Sequence, residues 1–254
     1  MDPSLYSGSA AYYTRGRFAY PEALADVLAR ELGLDGSGRL LDVGCGPGSL
    51  TLLLARYFSQ AVGIDADADM LAEASRAGAA NCRWLHLRAE QLPADLGEFR
   101  LITFAQSFHW LDRPHAAATA RTMLEPGGAC VHVHATTHQG VDGTPYAAIT
   151  DLVRTYLGPV RRAGQGTLPG GTPGGEAEIY RAAGFTGPQQ IRVPGRLVTR
   201  APDDIVASVF SLSSSAPHLF GDRLGDFESD LRKLVGDNVF TERTHDIGVD
   251  IWLP

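Results

Sequence analysis

Lysine is almost missing from this chain: of 22 basic residues among 254, only Lys233 is a lysine, and 29 acidic residues leave a net charge of -7. Affinity for a polyanion rests on a concentrated basic footprint, so this balance argues against nucleic acid as a partner. The bias toward arginine, alanine and glycine is that of a GC-rich coding sequence before it is a sign of function. Cysteine is scarce too. Cys45, Cys82 and Cys130 are an odd number without metal-like spacing, which fits reduced, structural thiols. No apolar run approaches the roughly 18 residues that cross a bilayer, and no membrane partner is expected. The opening "MDPSLYSGSA" lacks the basic and then apolar order of a secretion signal, so the cytoplasm is the expected compartment. What remains is a hydrophobic content of 44% with 20% charged residues, enough to build one large domain or a core with a subdomain.

Short β-rich runs and helical patterns alternate through the first half. "RLLDV", "QAVGID", "CRWLHL", "FRLITFA" and "GACVHVHA" read as strands. Helical spacing is expected over Pro21 to Leu32, stopped by Gly33, then over Leu50 to Phe58, over Met70 to Ala74 and over Pro114 to Leu124. Such alternation implies an α/β fold with parallel strands and helices on both sheet faces. After Ala135 the regularity breaks. A helix over Thr144 to Leu157 leads into a Gly-rich loop over residues 158–175, a candidate lid. "AEIYRAAGF" then reads as a helix capped by Gly184, and "QQIRVPGRLV" as a strand that Pro194 confines to an edge or ends. Helices over Ala201 to Phe210 and Phe220 to Val235 precede a last strand, "HDIGVDIW". No internal repeat is present.

The stretch "LLDVGCGPGSLTLLLARYFSQAVGID" carries the chemistry. In a sheet of this class ligands sit beyond the carboxyl ends of the strands, where Asp42, Gly44, Gly46 and Gly48 fall. Glycines there let the turn bend sharply and let a ligand lie against bare backbone. The spacing G-x-G-x-G, with Pro47 inside it, departs from the dinucleotide pattern G-x-G-x-x-G. Asp42 would also repel a diphosphate but welcome an ammonium group. Asp65, at the end of the second strand, can accept hydrogen bonds from two ribose hydroxyls. An adenosyl group joined to an amino acid meets all of these demands.

At these residues the chain resembles class I S-adenosylmethionine-dependent methyltransferases, through "LDVGCGPG", "GID", "RAEQLP" and "LEPGG". "YYTRGRFAYP" and "SFHWLDRP" are similar to the small-molecule branch that includes the trans-aconitate methyltransferase type. The likeness covers Tyr12 to about Ala135 and continues only in outline. It implies a Rossmann-like, doubly wound, mostly parallel seven-stranded sheet with an antiparallel last strand and an inserted helical cap. A single domain over 1–254 would divide into an N-terminal lid helix (1–36), a cofactor core (37–135), a cap and substrate region (136–243) and a last strand (244–254). S-adenosyl-L-methionine would be the cofactor and S-adenosyl-L-homocysteine the product. Asp42, Gly44, Cys45 and Gly46 would hold the methionine end and Asp65 the ribose. Ala66 and Met70 would border the adenine, Ala89 and Glu90 would cover its other side and edge, and Gln106 would lie under the methionyl portion. Tyr13 and Arg17 match Y-x-x-x-R, with Arg17 a fork for the cofactor carboxylate, although Phe18 stands where proline is common. Plain readings stand beside these: Met70 as core, Tyr13 and Arg17 as a solvated helix approach, Glu90 as a turn cap.

A sulfonium carries an already activated methyl group, so the protein chiefly holds a nucleophile in line and excludes water. His109 is the candidate general base, or else it orients Trp110; Asp112 suits a helix N-cap better than an acid. Ser107, Trp110, His138, Phe210 and His218 are the candidate acceptor pocket, with Leu212 and Phe220 beside them, although helix-core packing explains the apolar spacing over 210–220 equally well. His132, His134 and His138 could suggest a metal triad, but no carboxylate cluster lies nearby in sequence and "AQSFHW" offers no acidic ligand, so metal independence is expected. No N-P-P-Y segment or Pro-Cys nucleophile points to a macromolecular acceptor. A small organic acceptor methylated on oxygen is therefore expected, with the protein a monomer or homodimer. Two alternatives stay open: an enzyme of this fold that catalyses cyclisation or rearrangement with the cofactor as scaffold, and a non-catalytic cofactor-binding protein.

Overall fold

The computed structural model describes residues 6–160, 162–163, 166–167 and 174–254. Half of the Gly-rich stretch 158–175, the candidate lid, thus lies outside the described residues. Chain order begins with helices α1 (Ala10–Gly16) and α2 (Glu22–Leu32). Pro21 sits at the N-cap of α2, and Gly33 ends it in the left-handed region, φ 58°. Strand and helix then alternate as β1 (Arg39–Val43), α3 (Ser49–Leu54), β2 (Gln60–Asp65), α4 (Ala68–Ala77), β3 (Cys82–His86), β4 (Phe99–Phe104), α5 (Arg113–Thr122) and β5 (Leu124–His134). Asp112 caps α5 by accepting from the His115 amide, and Pro114 follows where a missing N–H costs nothing. That helix stops two residues short of Leu124, which instead opens β5.

Beyond β5 come α6 (Tyr146–Leu157), the two-residue strands β6 (Arg162–Ala163) and β7 (Gly166–Thr167), α7 (Glu176–Ala182), β8 (Thr186–Val193), β9 (Leu197–Arg200), α8 (Pro202–Phe210), α9 (Leu224–Val235), β10 (Phe240–Arg243) and β11 (Ile247–Leu253). "QQIRVPGRLV" is not one strand. Pro194 has no amide to donate, so the ladder ends at Val193; the chain restarts as β9 and pairs antiparallel with β10, a strand the sequence reading missed.

The main sheet has the order β3-β2-β1-β4-β5-β11-β8, and only β11 runs against the rest. This is the seven-stranded architecture the resemblance implied. One face buries Leu41, Ile102, Cys130 and Trp252 under α5 and α7; the other buries Leu40, Leu101, Val131 and Val249 under α2 and α3. Alternate residues of each strand serve opposite faces. A separate apolar core joins α6, α8 and α9 around Phe210, Phe220 and Phe227. Among the described residues, no helix is long and apolar enough to cross a membrane.

Candidate active site

Strand order reverses between β1 and β4, and in such sheets the crevice at that point opens at the carboxyl ends of the strands. A cavity of about 60 Å³ lies there. Its floor is the β1–α3 loop, where Gly44, Gly46 and Gly48 take φ of +69°, +56° and +79°. The Gly44 and Cys45 amides both donate to the Ile64 carbonyl, tying the loop to the end of β2. At Gly46 a methyl group would meet nothing within 4 Å, so the loop backbone faces open space.

Two carboxylates flank this loop. Asp65 accepts from the Gly46 amide at 2.8 Å and from the Asp67 amide at 2.9 Å, and burial raises its pKa. Asp42, 1% exposed, accepts from the hydroxyls of Thr51 (2.6 Å) and Thr103 (2.8 Å). Burial outweighs these two bonds and pushes the Asp42 carboxyl up to about 6. The donors that meet it, the two hydroxyls and the Thr51 backbone, are all neutral, so its charge is poorly compensated. An ammonium group at the loop would supply the missing cation, which is the demand read from the sequence.

The sign of this shift gives a test. The unfolded carboxyl titrates near 3.8 and the folded one near 6, so the stability Asp42 contributes is fully present below pH 4 and is lost as pH rises through 6. The rise from 3.8 to about 6 is worth on the order of 3 kcal/mol. Asp42→Asn should therefore stabilise the ligand-free protein at pH 7.5 by up to about 2–3 kcal/mol, with no gain at pH 4. Urea unfolding at the two pH values measures this; an equal change at both would contradict the burial argument.

The cavity also brings together Tyr13, Arg17, Cys45, Met70, Gln106, Ser107 and Trp110 from the sequence reading. Arg17 turns toward the cap: its Nε donates to Ser211 Oγ at 2.8 Å and Nη2 to the Ser211 carbonyl at 2.6 Å, while its plane lies 4.6 Å from the Tyr13 ring. Gln106 donates to the Val133 carbonyl, and Ser107 to that of Val43. The Cys45 thiol is kept protonated by burial. Sequence reasoning missed Tyr6, Tyr20 and Thr137 as walls. The aromatic content of "YYTRGRFAYP" hinted at Tyr20; nothing local marks Tyr6 or Thr137.

Other expected site residues fall elsewhere. Phe210 is fully buried in the cap, against Tyr12, Phe220 and Phe227, because its helix turns that face into the cap core. His218 is exposed and bonded to the Ser7 carbonyl. At His138 the carbonyl is drawn into the cap by Arg200 and Tyr146, leaving Thr137 as the wall. His109 packs behind Trp110, ring centroids 4.8 Å apart, outside the cavity lining. Ala66 offers its carbonyl to His86, Ala89 joins the sheet core, and Glu90 lies at the surface beside Arg88; none of the three lines the cavity.

His132 and His134 do share a face of β5, rings 4.2 Å apart. The carboxylate that sequence proximity could not reveal comes from β11: Asp250 pairs with His134 at 3.1 Å. Among the described residues, no three His, Cys, Asp or Glu side chains are grouped as metal ligands would be. His132 is buried against Phe108, and burial lowers its pKa to about 3. Its unfolded ring titrates near 6.5, so stability falls as pH drops from 6.5 toward 3. His132→Leu should flatten this acid limb in melting curves taken from pH 7 to 4.

Residues 40–128 match the methyltransferase domain family. This segment is similar to methyltransferase domains. An uncharacterized methyltransferase of Mycobacterium tuberculosis is 34% identical over 128 residues, covering 50% of this chain and 51% of its own. Trans-aconitate 2-methyltransferase of Deinococcus radiodurans is 31% identical over 151 residues, 58% of this chain and 57% of its own. The chain spans about half the length of the curated relatives it matches. Over nearly the whole chain there is a likeness of fold: N-methyltransferase NodS of Bradyrhizobium japonicum aligns over 91% of this chain and 92% of its own, with TM-score 0.50 and 15% identity.

Proposed function

We propose that this chain transfers the methyl group of S-adenosylmethionine to an oxygen of a small, carboxylate-bearing acceptor, without a metal. The observation that carries the reading is one cavity in which a bare glycine loop lies between two buried carboxylates, with Asp42 short of a cation. When bound, the cofactor supplies a methyl group already activated by positive sulfur. Asp42 would hold its ammonium group, Asp65 its ribose hydroxyls, and the amides around Gly46 its carboxylate end.

What the protein adds is orientation and exclusion of water. Tyr6, Tyr13, Tyr20 and Trp110 give the cavity aromatic walls, and among the described residues Arg17 is the one cation in its lining. A carboxylate acceptor suits this set, since it is attracted by Arg17 and has no proton to lose near neutral pH. His109, behind Trp110, is then not required as a base. Names among the relatives support oxygen as the acceptor atom, the O-methyltransferases of malonyl-[acyl-carrier protein] and of ubiquinone biosynthesis, and trans-aconitate 2-methyltransferase names a small carboxylate acceptor.

Incubation with methyl-labelled S-adenosylmethionine and panels of small carboxylates, phenols and amines tests the reading. Label should appear as base-labile methyl ester, matched by S-adenosylhomocysteine. Labelled phenol ether or methylamine would overturn the acceptor class, and turnover without S-adenosylhomocysteine would favour a scaffold role. Protonation of Asp42 competes with an ammonium ligand, so affinity for S-adenosylhomocysteine should fall as pH drops through about 6.

A further inference from the structure

Arg200 and Glu242 form a charged pair inside the cap, outside the cavity, with side chains 4% and 0% exposed and an N–O distance of 3.9 Å. Their separation alone makes this a weak contact. Their hydrogen bonds say more. Arg200 Nη2 donates to the Gly16 carbonyl at 2.9 Å and the Asp204 carbonyl at 2.6 Å; Nη1 donates to the His138 carbonyl and to the Tyr146 hydroxyl, both at 3.2 Å. Glu242 accepts from the Gly140 amide at 2.8 Å, the Thr144 hydroxyl at 2.5 Å and the Tyr146 hydroxyl at 2.8 Å. One buried pair thus binds α1, the segment after β5, α8 and the β9–β10 ribbon.

Two of those segments end in cavity walls. Gly16 immediately precedes Arg17 and Phe18, both lining residues, and the Phe18 ring lies 4.8 Å from the Arg200 guanidinium. The His138 carbonyl follows Thr137, whose own carbonyl receives the Phe18 amide at 2.6 Å. Gly16 itself is pressed on α8, where a methyl group would come within 2.4 Å of the Ala207 carbonyl oxygen. A buried ion pair seldom stabilises more than apolar side chains of the same volume would, so fixing geometry is the better account of this one.

We infer that Arg200 and Glu242 are positioning residues: they hold the wall made by Tyr13, Arg17, Phe18 and Thr137 in register with the glycine loop. The effect on ligand binding rests on the methyl-donor reading; the effect on the wall does not. Replacing the pair together, Arg200→Met with Glu242→Leu, leaves no uncompensated charge and should keep the melting temperature within a few degrees of the parent. Amide hydrogen exchange at Arg17 and Phe18 should then quicken about tenfold or more, with Leu41 and Ile102 in the sheet unchanged. Affinity for S-adenosylhomocysteine, by calorimetry, should fall about tenfold.

Unchanged exchange at Arg17 and Phe18 would overturn the inference whatever the ligand does. So would quickened exchange with affinity intact in a parent that binds. Quickened exchange in a parent that binds no S-adenosylhomocysteine would keep the positioning role and sink the methyl-donor reading instead. Should the double variant fail to fold, Arg200→Lys decides. A single ammonium cannot reach all four acceptors, so the same amides should quicken in a folded protein, and unchanged exchange there would equally overturn the inference.

Discussion

Asp65→Ala should abolish measurable binding of S-adenosylhomocysteine while the chain stays folded. Asp65 stands at the end of β2 with each carboxylate oxygen already accepting one backbone amide, from Gly46 and from Asp67. Each oxygen keeps a lone pair for a ribose hydroxyl. Two charge-assisted bonds at about 1.5–3 kcal/mol each amount to a loss of roughly 10² to 10⁴ in affinity. The substitution also frees the Gly46 amide, which loosens the floor on which the ligand would rest. Folding should suffer little, because burial already disfavours the ionised Asp65. Calorimetric titration beside circular dichroism measures both effects. Binding within about threefold of the parent would remove Asp65 from the site and take the adenosyl assignment with it.

The second large effect is on stability. Gly44 has φ +69°, and a methyl group there would stand 2.4 Å from Ser107 Cβ. Gly44→Ala therefore meets two penalties, about 1–2 kcal/mol for a left-handed non-glycine residue and about 1–3 kcal/mol for overpacking. A total of about 2–5 kcal/mol is a large share of the 5–15 kcal/mol typical of a folded domain. The two parts can be separated. Ser107→Gly in the Gly44→Ala background removes the obstructing Cβ and should recover the packing part, leaving the backbone part. Denaturant midpoints of the parent, single and double variants measure this. A single variant as stable as the parent would mean that the loop does not hold the geometry described.

Much of the fold could be read from local patterns. The alternation through residue 135, the Gly33 stop, the Asp112 cap and the edge placement of the strand before Pro194 each follow from spacing or backbone constraint over a few residues. The floor of the cavity was readable for the same reason: Asp42, Gly44 and Gly46 are neighbours in sequence, and Asp65 ends the next strand. Pairings across long intervals were not. Asp250 meets His134 across 116 positions, and β10 finds β9 only after α8 and α9 have been packed between them. Apolar spacing in α8 fitted a pocket wall and a helix core equally, and packing against Tyr12 and Phe227 put Phe210 in the core.

By itself, then, the sequence determined the alternating α/β architecture and the bare, acid-flanked loop, because periodicity, glycine φ and proline's missing donor act within a few residues of where they are written. Tertiary structure alone decided what closes over that loop. Tyr6, Tyr20 and Thr137 become walls, and Arg200 and Glu242 come to join four segments, only once the sheet and cap bring distant stretches together. Burial did the rest: Asp42 is an ordinary carboxylate in the chain and one with a pKa of about 6 inside the fold, since only packing could remove its water.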